Sequence, residues 1–380
     1  MNLESRHLTR PVFVTDNSVL NDLCNQWQGL PVLALDTEFI RIDTFFPRLG
    51  LIQVCDGSAS YLLDPLTLTD WHAFIALLRS DSIVKVFHSC SEDLVVFNDF
   101  FKELPRPLID TQKAAAFLNF GYSISYQNLV KEILGIEISK GETRSDWLRR
   151  PLSSDQLAYA ALDVAYLPEI YTTLLDRLQE KQRDTWLVAE CEQMLEQASL
   201  DRNAEDGNRY YLNLGGAWRL DLRQLGALQG LCAWREQEAR KRNKPRSWIA
   251  KDADLIALAE SMPTNKTELT NLHELPRSLQ QQDGATLLEI IARPHSGADL
   301  QPELIEQPLT PEQRRLLKKC QDMVRLKADE LGLAPELLAR KKQLIPLISE
   351  FQNKGSFSWP TTMGNWRRDI LETSLLNVLR

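Results

Sequence analysis

VLALDTEF, Val32 to Phe39, is apolar and partly β-branched until it reaches two acids two positions apart. In an extended strand, residues i and i+2 project from one face, so Asp36 and Glu38 present their carboxylates together. Like charges held side by side repel unless they are protonated or neutralised by a cation. No Cys or His lies in the run, and oxygen ligands favour a hard ion, Mg²⁺ or Mn²⁺, over zinc. Asp-x-Glu after an apolar strand also suits plain loop acids. What separates the two readings lies farther along the chain.

Working outward, VLALD (32–36), LGLIQVC (49–55) and SYLLD (60–64) are three short apolar runs at turn-length separations, which predicts a meander. FIRIDTFFPRLG, between the first two, is too polar to be strand throughout. PVFVT precedes the meander, and IVKVFH (83–88) follows a helix expected near Asp70 to Arg79. In SCSEDLVVFNDFF, the i, i+3, i+7 spacing of Leu94, Phe97 and Phe101 predicts a helix with a buried stripe. PLIDTQKAAAFL (107–118) reads as an extended entry turning into a helix, and GYSISYQNLVKEILG as a helix stopped by Gly135. Ser153 with Gln156 makes a capping box for the long helical pattern DQLAYAALDVAYLPEIYTTLLDRL. Alternating strands and helices predict an α/β domain over about residues 10–180, followed by a helix from Asp184 to Gln197.

Two further acidic features fall on these elements. Glu92 and Asp93 open the helix after IVKVFH, where the helix dipole favours acids whatever the function. Asp163, in YAALD, follows Tyr159 by four residues on one helical face. Each is a weak signal alone. In this order and on these elements, DTE in a strand, HSCSED opening a helix and YAALD in a later helix resemble the DEDD exonuclease superfamily in its tyrosine-bearing branch. The flanks DTEFIRIDTFFPRLGLIQV, PLIDTQ and SDWLRRPLSSDQLAYAALDV are similar to the ribonuclease D family, over about residues 30–170.

That resemblance implies a ribonuclease-H-like α/β fold and phosphodiester hydrolysis with two divalent ions, Mg²⁺ or Mn²⁺. Carried onto this chain, it makes Asp36, Glu38, Asp93 and Asp163 the metal ligands and Tyr159 the residue that orients the attacking water. All five positions hold the family's residue. The implied products are nucleoside 5′-monophosphates released from a 3′ end, and the implied substrate is RNA, with precursor tRNA 3′ ends as the family's task. Four nearby residues are candidate substrate contacts with open alternatives. Phe39 stacks on a base or belongs to the core, Gln53 reaches substrate or closes a strand end, and His88 touches substrate or is a structural hydrogen-bonder. Arg144, with Arg149 and Arg150, contacts phosphates or lies in a solvated basic loop.

The remainder reads as all-helical after DRNAEDGNRYYLNLGG (201–216), where apolar periodicity collapses and a linker is expected. Residues 217–293 resemble the HRDC domain, carried by LRQLGALQGLCAWREQEARKRNKPRSWIAKDADLIALAESMPTNKTEL. Residues 294–380 look like a second, divergent copy. The expected organisation is therefore an exonuclease domain over 1–200, a linker, and two small all-α HRDC-like domains. In the first of these, Leu225, Leu228, Leu231 and Cys232 form a core face. Between Arg235 and Arg246, six basic residues against two acids offer either a footing for RNA phosphates or a solvated helix end.

Charge is divided in the same way. The net −8 separates into 17 Lys and Arg against 28 Asp and Glu in residues 1–200, and 27 against 24 in the rest. An acidic half carrying cations and a mildly basic half holding a polyanion fit that asymmetry; so do two unrelated surfaces. With 43% hydrophobic residues, six scattered cysteines, no membrane-length apolar run and no signal-like start, a cytoplasmic, reduced protein is expected. No heptad run appears, so a monomer is expected. Two alternatives remain open from the residues: a DNA exonuclease of the same superfamily, or a nucleic-acid-binding adaptor on a silent nuclease scaffold.

Overall fold

The computed structural model describes residues 11–138, 145–200, 204–293, 303, 305 and 307–380. They form two compact units, one of residues up to 40 with 48–199 and 309–380, the other of 41–47 with 200–308.

The first unit is built on a six-stranded sheet. Its strands are β1 (Val12–Val14), β2 (Val32–Ile40), β3 (Arg48–Cys55), β4 (Ser60–Leu63), β5 (Val84–Phe87) and β6 (Leu108–Asp110), in the order β1-β4-β3-β2-β5-β6. The expected meander is present: β2 pairs with β3 and β3 with β4, both antiparallel. The outer pairs are parallel. FIRIDTFFPRLG is not strand throughout, as its composition predicts: Phe39 and Ile40 keep pairing with Leu49 and Arg48 across a register shift after Glu38, and residues 41–47 lie outside the sheet. Both acids of DTE therefore stand inside a strand, paired with β3, rather than in a loop.

Each sheet face has its own helices. Leu33, Leu35, Ile52 and Val54 pack with α1 (Asn17–Trp27), α2 (His72–Arg79) and α3 (Ser91–Phe100). Ala34, Cys55 and Val86 pack with α4 (Thr111–Phe117), α5 (Tyr126–Leu134), α6 (Ser154–Ala165) and α7 (Leu167–Glu180). Alternation along β2 thus sorts Leu35 to one layer and Asp36 to the other. The pattern read as one helix over DQLAYAALDVAYLPEIYTTLLDRL is two, parted at Tyr166. Pro168 has no N–H to return to the Val164 carbonyl, so the helix cannot run on.

α8 (Asp184–Leu200) closes the α/β part, and four C-terminal helices join the same core. These are α15 (Pro311–Leu331), α16 (Pro335–Leu338), α17 (Lys341–Lys354) and α18 (Asn365–Leu379). Trp366 of α18 stacks on Trp186 of α8 with centroids 4.9 Å apart. Beside it, Arg367 forms a buried ion pair with Glu190.

The second unit is helical. Its elements are α9 (Leu222–Arg242), α10 (Arg246–Ile249), α11 (Asp252–Ser261), α12 (Lys266–Thr270), α13 (Arg277–Gln282) and α14 (Gly284–Ala292). A 3₁₀ segment, Ala204–Asn213, leads into it, with Tyr211 buried. Leu225, Leu228, Leu231 and Cys232 are buried, as their spacing predicts. The basic run is less available than it reads. Arg235 pairs with Asp252, Arg240 and Arg246 with Glu236, and Arg242 with Asp283. Lys241 pairs with Glu238 as well, so five of its six cations are committed within the unit. Among the described residues no helix is long and apolar enough to cross a membrane.

Candidate active site

β2 carries Asp36 and Glu38 on the face that α6 covers. The capping box of Ser153 and Gln156 fixes where α6 begins, and from that start Tyr159 and Asp163 fall one turn apart, above the two acids. Ligand oxygens of Asp36, Glu38 and Asp163 all lie within 4.8 Å of one another. Two carboxylates of one strand and a third, far along the chain on a helix, meet at one point.

Asp93 arrives from the opposite layer, in the first turn of α3. It is buried, and the hydroxyl of Thr37 donates a hydrogen bond to it. Thr37 lies between the two β2 acids in sequence and faces the other way, toward the layer that holds α3. Alternation in DTE thus gives two acids to one side and an anchor for a fourth acid to the other.

The start of α3 is itself held. Ser89 takes a left-handed φ of 62°. The buried carboxylate of Asp110 accepts the backbone N–H groups of Ser89 (3.1 Å) and Cys90 (2.9 Å). The same group accepts those of Gln112 (2.8 Å) and Lys113 (3.3 Å) at the head of α4. One side chain thereby ties two helix starts. Sequence reasoning passed over both Thr37 and Asp110. An acid ending an apolar run before a helix is a detectable N-cap signal, but its second set of partners, 20 residues upstream, is visible only in three dimensions.

Electrostatics follow from this crowding. Burial, then the charges of Asp93, Asp163 and Glu38, push Asp36 well above the usual carboxylate range. Burial and the neighbouring acids raise Glu38 to about 8. Burial raises Asp163 to about 7, opposed by the hydrogen bond from Tyr159. Burial raises Asp93 to about 6 against the Thr37 bond. Burial and the same carboxylates also raise Tyr159, so its phenol keeps its proton. Without a cation this cluster holds protons it would give up in water. All its donors are carboxylate oxygens, the ligand set of a hard divalent ion.

A pH dependence follows. Acids whose folded pKa lies above the unfolded value stabilise the fold at low pH, and that stability is lost as pH rises from about 4 through about 6 to 8. A bound cation displaces those protons, so its stabilising effect grows over the same window. Melting curves with chelator and with Mn²⁺, taken across about pH 5.5 to 8.5, should draw apart as pH rises. A constant gap contradicts this assignment of protons.

The weaker candidates separate clearly. Phe39 is half-buried and packs at the rim of the α1–α3 layer. Gln53 is fully buried, so the expectation that it reaches substrate is corrected: β3 is sandwiched between two strands and covered. Both ring nitrogens of His88 are engaged inside the protein, by the Thr111 hydroxyl (2.9 Å) and the Ile124 carbonyl (3.0 Å). Arg150 is structural, gripping buried Asp64 through two nitrogens at 2.8 and 2.6 Å, which removes it from phosphate binding. Arg149 is exposed. Arg144 lies outside the described residues.

Comparison with known proteins agrees with this geometry. A family model described as 3′-5′ exonuclease matches residues 11–179, and the HRDC domain model matches 224–291. The Ribonuclease D of Pseudomonas paraeruginosa is 42% identical over 368 residues, covering 97% of each chain. The chain belongs to the ribonuclease D family. The Ribonuclease D of Escherichia coli K12 is 36% identical over 97% of this chain and 98% of its own. The crystal structure of E. coli RNase D, described as an exoribonuclease involved in structured RNA processing, superposes with a TM-score of 0.86 at 34% identity. It covers 97% of this chain and 98% of that one. Membership of the ribonuclease D family makes the chain a hydrolase, a 3′→5′ exoribonuclease with an HRDC domain after its exonuclease domain.

Proposed function

We propose that this ribonuclease D trims the 3′ ends of RNA, precursor tRNA in particular, through two Mg²⁺ or Mn²⁺ ions held by Asp36, Glu38, Asp93 and Asp163. The observation that carries the reading is the meeting of Asp36, Glu38 and Asp163 within ligand distance of one another, roofed by Tyr159. Two bound ions supply activation of the attacking water and neutralisation of the leaving oxygen. The chain's residues do the rest. Asp36, Glu38 and Asp163 would hold one ion, and Asp93, steadied by Thr37, would hold the second together with Asp36. Tyr159 keeps its proton and donates it in a hydrogen bond to Asp163, leaving its oxygen lone pairs to orient the water. It is a positioning group and not a base. Tyr159→Phe should therefore lower kcat by about 10²-fold with little change in metal affinity, read by single-turnover cleavage and calorimetry. An unchanged kcat contradicts the role.

The helical parts are proposed to grip the RNA, with 201–216 as linker, 217–293 as one HRDC domain and 294–380 as a second copy. An internal repeat supports the second copy. Helix α9, its left-handed cap at Asn243 and short α10 recur at one constant offset as α15, its left-handed cap at Gly332 and short α16. Ala250 and Ala339 then take the same extended conformation, and buried Leu255 and Leu258 correspond to Leu344 and Leu347. Lys244, and the exposed Trp248 whose ring it lies over, are the groups at the end of the basic stretch that can meet RNA. A cytoplasmic monomer completes the proposal, in keeping with six buried free cysteines.

The test is a rate comparison on a tRNA carrying a short 3′ extension, a single-stranded RNA and the matched DNA. Preference for the extended tRNA supports the proposal. A preference for DNA transfers the site to a DNA exonuclease. RNA binding that needs no metal, with no product under either ion, would leave an adaptor.

A further inference from the structure

Gln53 poses a problem that the chemistry above does not use. Its side chain is completely buried, and neither its amide nitrogen nor its amide oxygen has a hydrogen-bond partner among the described residues. An unmet buried amide opposes folding, and the great majority of buried polar groups find a partner. Among the described residues only Trp27 Nε1 shares this state, so the exception marks a place rather than a loose region.

The place is next to the acids. β2 and β3 pair antiparallel with Asp36 directly opposite Gln53, and Gln53 is in turn opposite Leu62 of β4. Cross-strand partners project from the same face. That face lies under α6: Leu51 and Leu62, flanking Gln53 along and across the sheet, pack with Ala160 and Tyr159. The Gln53 amide therefore stands in the row that begins at Asp36, beneath the helix that carries Tyr159 and Asp163. Its amide is shut off from the surface, and hence from a nucleotide, with Leu51 and Leu62 as its neighbours along and across the sheet.

Resting on the metal reading of the acids, we infer that Gln53 is a positioning residue for the ion held by Asp36 and Asp163, binding a water shared with that ion's hydration. Small hard cations keep part of their hydration and need it ordered, and hydrogen bonds from outside the ligand set tune metal affinity about 10- to 100-fold. An amide suits this position because it both donates and accepts without adding a fifth negative charge to a cluster that already repels itself. A glutamate would add charge, and an aliphatic side chain would leave the water unheld.

This assignment predicts effects of opposite sign, which a merely structural glutamine would not give. Gln53→Met keeps the volume and removes the unmet polar atoms, and Gln53→Leu is a second apolar variant with a different shape. In chelator, the full-length variants should melt at or above the wild-type temperature. Their Mn²⁺ affinity, measured by calorimetry without RNA, should fall about tenfold or more. The inference is overturned if Mn²⁺ affinity stays within about twofold of wild type, or if affinity is lost only together with a lower metal-free melting temperature in both variants. Wild-type protein from the same preparation separates the two layers of the account. If it neither binds Mn²⁺ nor shortens RNA, the reading of the acids fails. If it does both while the Gln53 variants match it, only the role of Gln53 fails.

Discussion

Asp36→Asn should abolish most of the activity, by about 10³-fold or more, while making the metal-free protein harder to unfold. The loss follows from its place: it stands within ligand distance of both Glu38 and Asp163 and also feels Asp93. Removing a carboxylate from a metal centre forfeits several kcal/mol of transition-state stabilisation, and each ~1.4 kcal/mol is tenfold in rate. The gain follows from the same crowding. Burial and three neighbouring acids already push Asp36 well above the usual carboxylate range, so a neutral amide of equal size relieves that cost while its oxygen can still accept the Thr37 backbone N–H. Chelator melts and single-turnover rates on the same protein check both halves. A variant that loses activity and also loses metal-free stability would make Asp36 an ordinary structural acid.

The second large effect lies far from the chemistry. Arg367→Ala should destabilise the first unit by about 3–5 kcal/mol, because it strands Glu190 as an unpaired buried charge. The guanidinium also donates to the carbonyls of Leu337 (2.6 Å) and Met363 (3.1 Å) and lies over the Trp366 ring at 4.3 Å. Trp366 Nε1 donates to the same Glu190 at 3.2 Å. Three layers of contact thus converge where α18 meets α8. For a unit of this size the melting temperature should fall on the order of 10 °C. Replacing both charges by apolar residues of similar volume should recover much of the loss, since the pair itself returns little beyond its desolvation cost. A single variant that melts like wild type would mean that α18 is held by its apolar face alone.

Much of the catalytic half is legible in sequence because its signals are local. Strand alternation in VLALDTEF, the Ser153 capping box and the Tyr159–Asp163 spacing each depend on neighbours within a few positions, and the structure keeps all three. What escapes depends on partners far along the chain. Gln53 looks like an accessible strand-end residue until β4 and α6 enclose it, and Arg150 looks like a phosphate ligand until Asp64, 86 positions upstream, captures it. The basic run from Arg235 to Arg246 misleads for the same reason, as Asp252 at the start of α11 and Asp283 between α13 and α14 neutralise two of its arginines. β2 runs on through Ile40 because Phe39 and Ile40 pair with β3, and it ends where the polar stretch from Arg41 begins. Ion pairs and cross-strand contacts are made by the fold, so composition alone overstates how many charges remain free for a ligand.

The most direct test follows 5′-labelled RNA with a single-stranded 3′ end on a sequencing gel, with Mn²⁺ or with chelator, for wild type and Asp36→Asn. The expected result is a ladder that shortens one nucleotide at a time from the 3′ end, with release of nucleoside 5′-monophosphates, and that disappears in chelator and in the variant. Cleavage that survives chelator, or that leaves Asp36→Asn as active as wild type, would contradict a metal centre built on these carboxylates.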